Sequence, residues 1–125
     1  MDKSRVIDIL KFYREIDGEI AIYRSILHDY ENAPKDTKQE TEEYKRNVEI
    51  LQKLKSQILQ EISRLNLKEK SIIFDYYIHG MKWEQVAERN NYSARQCKNI
   101  RNTAIRNLEE RFKNNPCIKG FRKEE

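Results

Sequence analysis

Apolar side chains recur every seven residues along the first thirty positions, and this repeat restricts the fold more than any other feature of the chain. A second series is offset from the first by three residues, so the two form the a/d stripe of a helix that packs against another helix. At about 1.5 Å per residue such a helix is roughly 45 Å long, and it needs a partner for its stripe. The two series are Val6, Tyr13, Ile20 and Leu27, and Ile9, Ile16, Tyr23 and Tyr30.

The first helix is predicted to stop near Pro34, which lacks an N–H and restrains the residue before it. Asp36 or Thr37 can then cap a second helix over residues 38–65. The short loop favours an antiparallel hairpin, and the rival arrangement pairs either helix with its copy in a second chain. A hairpin that also dimerises is a third arrangement, because apolar residues remain beyond one seam. The second helix repeats Tyr44, Leu51, Ile58 and Leu65, and the residues beyond the seam are Leu10, Ile22, Ile26 and Ile50.

The composition predicts an all-α fold with a basic C-terminal half. Of the residues, 38% are hydrophobic and 37% are charged, with three Gly and two Pro, which suits long helices with a polar face. Residues 67–125 carry 13 basic and 8 acidic side chains, whereas residues 1–66 carry 12 and 13. That asymmetry is typical of a nucleic-acid face at one end. With no apolar run of membrane-spanning length and no signal-peptide core, we expect a cytoplasmic protein that does not enter membranes.

Three further helices are predicted after the second one. Asn66 is a suitable N-cap with Glu69 three residues later, as in a capping box, and Gly80 supplies the left-handed residue that ends this third helix. A short fourth helix over residues 82–89 follows. Asn91 suits a left-handed turn, and Ser93 can cap a fifth helix that runs to about residue 112. Cys97 falls on the buried face of this helix and is interpreted as a small core residue.

The exposed face of the fifth helix carries the side chains that read DNA bases. Arg pairs with guanine, and Asn and Gln pair with adenine, in the major groove. The first turns of a recognition helix make such contacts, and the cations around them bind phosphates. An ordinary solvated helix face is the alternative interpretation. The predicted base-reading residues are Ala94, Arg95, Gln96, Lys98, Asn99 and Asn102, and the predicted phosphate-binding residues are Lys82, Tyr92, Ser93, Arg101, Arg106, Arg111 and Lys113.

Residues 65–112 resemble region 4 of the sigma-70 family. The shared features are a Tyr-x-x-Gly stop at Tyr77 and Gly80, a short helix with Val86-Ala87, and a Tyr92-Ser93 turn before the last helix. With Trp83 in the short helix and Gln96 after the turn, the segment is more similar still to the small prophage-encoded regulators called ArpU- or RinA-like. Asn90 stands at a position that is usually apolar in this motif, from which we expect a looser or shifted turn.

The resemblance implies a helix-turn-helix that binds specific double-stranded DNA through the major groove and controls transcription, often of phage late genes. From the residue pattern and the resemblance together we expect a helical hairpin over residues 1–65 that dimerises or docks on RNA polymerase, a DNA-binding unit over residues 66–113, and a flexible tail over residues 114–125. Within this tail Ile118 and Phe121 are the side chains able to dock. The alternatives are a small terminase-like packaging protein, which also joins a helix-turn-helix to long helices, and a module that binds polymerase instead of DNA.

Enzymatic activity is not expected from this sequence. His28 and His79 are isolated, and the chain has neither a glycine-rich phosphate loop nor a nucleophile elbow. The two cysteines form neither a disulfide framework nor a zinc pattern. We therefore predict no catalytic residues, no metal site and no cofactor.

Overall fold

The structure is a computed structural model, and it describes residues 1–31 and 38–121. Over these two ranges the chain forms helices and no strand, which confirms the predicted all-α class. The predicted stop at Pro34 and the cap from Asp36 or Thr37 lie outside the described residues. In chain order the helices are α1 (Lys3–Tyr30), α2 (Lys38–Ser63), α3 (Leu67–Ile73), α4 (Trp83–Asn90), α5 (Ala94–Lys113) and α6 (Pro116–Gly120).

Helices α1 and α2 lie side by side and run in opposite directions. Lys55 donates a hydrogen bond of 2.7 Å to Asp17 near the middle of both helices. Tyr44, near the start of α2, packs on Tyr30 at the end of α1 with ring centroids 6.0 Å apart. The apolar stripes face each other between these points, because burying them is the main gain available to two such helices. The buried stripe residues are Val6, Ile9, Ile16 and Ile20 of α1 and Val48, Leu51, Leu54, Ile58 and Ile62 of α2.

The apolar residues expected beyond this seam divide into two groups. Leu10 is fully buried, so its assignment to free surface is wrong. It lies in the core that α1 shares with α5 and α6, which the heptad pattern of α1 alone does not show. Ile22 and Ile50 are 60% and 51% exposed, and Ile26 is half-buried. Apolar surface beyond the seam is therefore present, at Ile22 of α1 and at Ile50 of α2.

The ion pair between the two long helices is a surface interaction. The hydrogen bond to Asp17 raises the pKa of the Lys55 ammonium above its ordinary value of 10.5, against the opposing effect of desolvation. Its stabilisation is fully present below that ordinary value and is lost as the pH rises through the raised one. Because the Asp17 side chain is 73% exposed, solvent screening keeps the contribution below about 1 kcal/mol.

One apolar core joins the long helices to the C-terminal helices. It contains the α1–α2 seam together with Ile73, Tyr77, Ile105, Leu108 and Phe112, all of them buried. The break between the helices lies near the predicted division at residues 65 and 66, and core contacts cross it. The C-terminal helices are thus positioned against α1 and α2 by apolar packing rather than by a flexible linker.

The end of the chain corrects the expectation of a flexible tail. The side chain of Asn115 accepts a hydrogen bond from the N–H of Ile118 and donates one of 2.9 Å to Glu61, so it both caps α6 and attaches it to α2. Ile118 is fully buried, and Phe121 stacks on Phe12 with centroids 5.1 Å apart. The docking of Ile118 and Phe121 agrees with what their apolar side chains allow, but a helix of five residues is too short to produce a sequence period, so α6 itself has no sequence signal. Residues 122–125 lie outside the described part of the chain.

None of the helices described has the length and the apolar composition needed to span a lipid bilayer.

Candidate nucleic-acid interface

Three local signals arrange α3, α4 and α5, and each was predicted from sequence. The side chain of Asn66 accepts a hydrogen bond from the N–H of Glu69 at 2.8 Å and starts α3. Gly80 (φ 68°) and Asn91 (φ 58°) are the left-handed residues, before and after α4 respectively. Asn adopts this left-handed conformation more readily than most residues with a side chain, which suits Asn91 to the turn between α4 and α5.

The start of α5 is held by a reciprocal pair of hydrogen bonds. The hydroxyl of Ser93 accepts from the N–H of Gln96 at 3.1 Å, and the side-chain oxygen of Gln96 accepts from the N–H of Ser93 at 2.8 Å. This capping box satisfies N–H groups that a helix start leaves without an intrahelical partner. Two residues of the predicted interface therefore already have a structural role at the first turn.

The capping box predicted at α3 is only half present. Glu69 is buried, and its carboxylate accepts a hydrogen bond from Asn107 of α5 at 2.8 Å, instead of reaching back to Asn66. The prediction that Glu69 completes the box is therefore wrong. The Glu69 carboxylate is thus directed to a tertiary partner on α5 instead of to the local N–H of Asn66.

Helix α3 does not continue as a regular α-helix to His79. It passes into a π-helical turn, Phe74–Ile78, in which the N–H of His79 donates to the carbonyl of Phe74 at 2.8 Å. Such single turns widen the helix and change the direction of its side chains. Here Asp75 and Tyr77 both point inward and are buried.

A part-buried hydrogen bond between Asn90 and the buried Asp75 holds the turn before α5. The amide of Asn90 donates to the carboxylate of Asp75 at 3.0 Å and accepts from the hydroxyl of Ser71 at 2.7 Å. The guanidinium of Arg89 lies 3.2 Å from the same carboxylate. The expectation of a looser turn at Asn90 is therefore wrong, because its amide is bonded on both sides. Asp75 thus bonds to a residue fifteen positions away in the chain.

A small apolar cluster lies beneath this unit. Ile72, Val86 and Cys97 are fully buried, one from each of α3, α4 and α5. Burial, and secondarily the negative charge of Asp75, raises the pKa of the Cys97 thiol, which keeps it protonated and unreactive. Trp83 closes the cluster by stacking on Tyr76 with centroids 4.0 Å apart. The core role predicted for Cys97 is confirmed.

The outer face of α5 presents most of the predicted base-reading side chains. Arg95, Asn99, Asn102 and Arg106 follow one another at intervals of four, three and four residues, which places them in one row along a helix with 3.6 residues per turn. All four are exposed. Gln96 and Lys98 are exposed on either side of the row, while Ala94 is half-buried.

The predicted phosphate-binding residues do not form one surface. Lys82 is exposed at the start of α4, and Lys113 is exposed on the same side of α5 as Arg106. The ring of half-buried Tyr92 lies 5.5 Å from the ammonium of Lys68. By contrast, Arg111 donates to the backbone carbonyl of Arg64 at 3.4 Å and lies on the side of α5 that faces the end of α2. It is therefore separate from the row on the outer face.

Arg101 has aromatic and polar partners within the protein. Its guanidinium lies 5.2 Å from the centre of the Trp83 ring, and it donates to Asn102 at 2.9 Å and to the hydroxyl of Tyr77 at 3.3 Å. These contacts restrain both Arg101 and the neighbouring amide of Asn102. Sequence reasoning assigned the two residues separate roles and had no signal that their side chains touch.

No family model matches the chain, and no match is found among curated proteins or among solved structures.

Proposed function

We propose that the protein is a transcriptional regulator that binds specific sequences in double-stranded DNA. In this proposal α3, α4 and α5 are a helix-turn-helix, α5 is its recognition helix, and α1 with α2 form a hairpin that dimerises or docks on RNA polymerase. The observation that carries the proposal is an exposed row on α5, formed by Arg95, Asn99, Asn102 and Arg106. The start of this helix is fixed by the cap from Ser93, and the turn before it is fixed by the hydrogen bond from Asn90 to Asp75. The sequence resemblance to sigma region 4 and to prophage late-gene regulators supports the same function.

The chemistry of the row suits the major groove. A groove about 12 Å wide accommodates one α-helix, and its base edges offer paired acceptors on guanine and a donor–acceptor pair on adenine. Arg95 has the two parallel donors for guanine, and Asn99 and Asn102 have the amide for adenine. Arg106 and Lys113 follow further along α5, where a helix leaving the groove meets the phosphates.

The test compares base-reading and phosphate-binding positions. A preferred site is first selected from random duplex DNA, and binding of this site and of a scrambled duplex is then measured by fluorescence anisotropy. Replacing Arg95 with Ala should weaken the preferred site by about 1–3 kcal/mol and relax the preference at one base pair. Replacing Arg106 with Gln should weaken both duplexes alike and lower the magnitude of the salt slope by about 1.

Arg111→Gln is a matched control for these variants. It removes the same charge from the same helix, but at a side chain that faces the end of α2. Its affinity for either duplex should stay close to that of the unmodified protein. If Arg95→Ala and Arg106→Gln were also without effect, α5 would not be the recognition helix.

Ile22 and Ile50 are exposed on the long helices and are available to a further subunit. They therefore support testing the alternative in which the protein is a small terminase-like assembly protein. A small terminase-like protein should form rings of eight or more subunits, whereas a regulator should be a monomer or dimer. Light scattering at micromolar concentration separates these outcomes. A module that binds polymerase instead of DNA would show no salt-dependent binding of duplex DNA at low ionic strength.

A further inference from the structure

A basic groove lies where α1 passes the start of α4 and the first turn of α5. Four cations line it, with Glu84 as the acidic residue in the same lining, and its volume is about 510 Å³. The cations come from three helices, and α1 is far from α4 and α5 in the sequence. They are Lys11 and Arg14 of α1, Lys82 at the start of α4, and Lys98 of α5.

Arg14 is held at this groove by the turn that precedes α4. A Cβ atom placed on Gly80 would lie 2.8 Å from a terminal nitrogen of the Arg14 guanidinium, so the side chain lies directly on the glycine backbone. Gly80 also has a φ of 68°, a conformation that other residues rarely adopt. The absence of a side chain at Gly80, two residues after the π-helical turn, thus leaves the space that Arg14 of α1 occupies.

Trp83 restrains the α5 side of the groove. Its ring lies 6.0 Å from the ammonium of Lys98 and 5.2 Å from the guanidinium of Arg101. Cations over an indole face are attracted to it, most strongly among the aromatic side chains. Because Trp83 is itself stacked on Tyr76, the ring that these two cations approach is fixed in position.

The groove adjoins the exposed row on α5. Lys98 lines the groove and lies one helical turn from Arg95, the first residue of the row. A helix seated in the major groove has a phosphate backbone on each side, and cations beside that helix meet phosphates and not bases. Several like charges close together repel one another, and a polyanion between them relieves that repulsion.

We propose that Lys11 and Arg14 bind backbone phosphates of the same duplex that α5 reads, so that α1 is part of the DNA interface. This inference rests on the proposed function of α5. It assigns the first half of α1 a ligand that the sequence does not indicate, because Lys11 and Arg14 stand on the polar side of a heptad stripe, more than fifty residues before the start of α3.

The experiment uses the full chain and a duplex of random sequence, with binding measured by fluorescence anisotropy between about 0.05 and 0.3 M salt. The test variant is Lys11→Gln with Arg14→Gln. The control is Lys3→Gln with Arg24→Gln, which removes two exposed charges from the same helix away from the groove. Lys11→Gln alone is a second test variant that leaves the contact between Arg14 and Gly80 intact.

The test variant should bind at least about tenfold more weakly than the control at 0.1 M salt. Each phosphate contact adds about 0.9 log units of affinity for every tenfold fall in salt concentration, so the loss of two contacts lowers the affinity most at low salt. The magnitude of the salt slope should fall by about 1 for each phosphate that the variant no longer binds. Lys11→Gln alone should give roughly half of either effect on the logarithmic scale.

Two results would overturn the inference, and they differ in what else they overturn. If the unmodified protein binds duplex DNA but the test and control variants have the same affinity and slope, α1 lies outside the interface and the role of α5 is unaffected. If the unmodified protein does not bind duplex DNA at low salt, both proposals are wrong.

Discussion

The pair α1–α2 and the unit α3–α5 use different interactions to bring helices together. Along α1 and α2 the contact is a row of aliphatic side chains, and the ion pair between Lys55 and Asp17 lies at the surface. In α3–α5 three buried residues form the apolar cluster, and a hydrogen bond from Asn90 and an ion pair with Arg89 at the buried carboxylate of Asp75 hold the turn. The packing of α1 on α2 thus comes from a repeated apolar contact, whereas the packing of α3, α4 and α5 comes from a few specific contacts.

The difference follows from helix length. Helix α1 has 28 residues and can bury an apolar residue on every turn, whereas α4 has eight and fully buries only Val86. A short helix gains little from the hydrophobic effect, so its position depends on caps, left-handed turn residues and bonded polar groups. Accurate placement of side chains on α5 is therefore expected to depend on contacts that contribute little apolar area.

The largest effect should come from Phe112, because it is fully buried in the core that links the two regions. Phe112→Ala should lower the free energy of unfolding by about 3–5 kcal/mol through lost burial and the cavity it leaves. Urea unfolding should be followed by helix circular dichroism and by the fluorescence of Trp83, the one tryptophan, which lies in α4. Coincident transitions at a lower urea midpoint are expected.

Leu67→Ala is the control for Phe112, because Leu67 is 80% exposed at the start of α3. It should change the stability by less than about 0.5 kcal/mol. If Phe112→Ala separated the fluorescence transition from the circular dichroism transition, the two regions would unfold independently and the shared core would not couple them.

Two aspartates test the contrast in polar contacts between the regions. Asp75→Ala should cost about 1.5–3 kcal/mol, because Asn90 and Arg89 then lose a charged partner at a buried site. Asp17→Ala removes an exposed carboxylate and should cost less than about 1 kcal/mol. Thermal unfolding of both variants measures the difference. Equal costs would mean that the buried contact does not stabilise the turn.

The two glycines should respond in opposite directions, with the smallest effects of the three comparisons. Gly80→Ala should destabilise by about 1–2 kcal/mol, because its φ of 68° is unfavourable for a side chain and Arg14 must move. Gly18→Ala should stabilise by about 0.5–1 kcal/mol, since Gly18 lies within α1 with nothing within 4 Å of an added Cβ. Chemical denaturation of both variants gives the signs, and the same sign for both would contradict this account.

Much of the local structure was accessible from the sequence because its signals are local. Heptad spacing located α1 and α2, and Asn66, Gly80, Asn91 and Ser93 marked helix ends within a residue or two of where they lie. Each of these residues acts on its own backbone or on a neighbour three or four positions away. The exposed row on α5 was predictable for the same reason, since helical periodicity alone places its members on one face.

Contacts between distant residues had no such signal. Asn115 meets Glu61 across 54 positions, Glu69 meets Asn107 across 38, and Arg14 meets Gly80 across 66. These contacts explain why the chain end docks, why one predicted capping box is incomplete, and why cations of α1 lie beside α5. Polar residues of this kind have the same sequence appearance whether they face solvent or a partner.

By itself, the sequence determined the helical class, the helix ends and the polar face of α5, because propensity, capping and periodicity act over a few residues. Only the tertiary structure decided that α6 docks and that Asn90 bonds to Asp75. It also decided that Arg111 lies apart from the row on α5, and that Lys11 and Arg14 reach the same groove as Lys98. Those outcomes depend on how the long helices pack against the short ones, and the energy of that packing is shared among residues far apart in the chain.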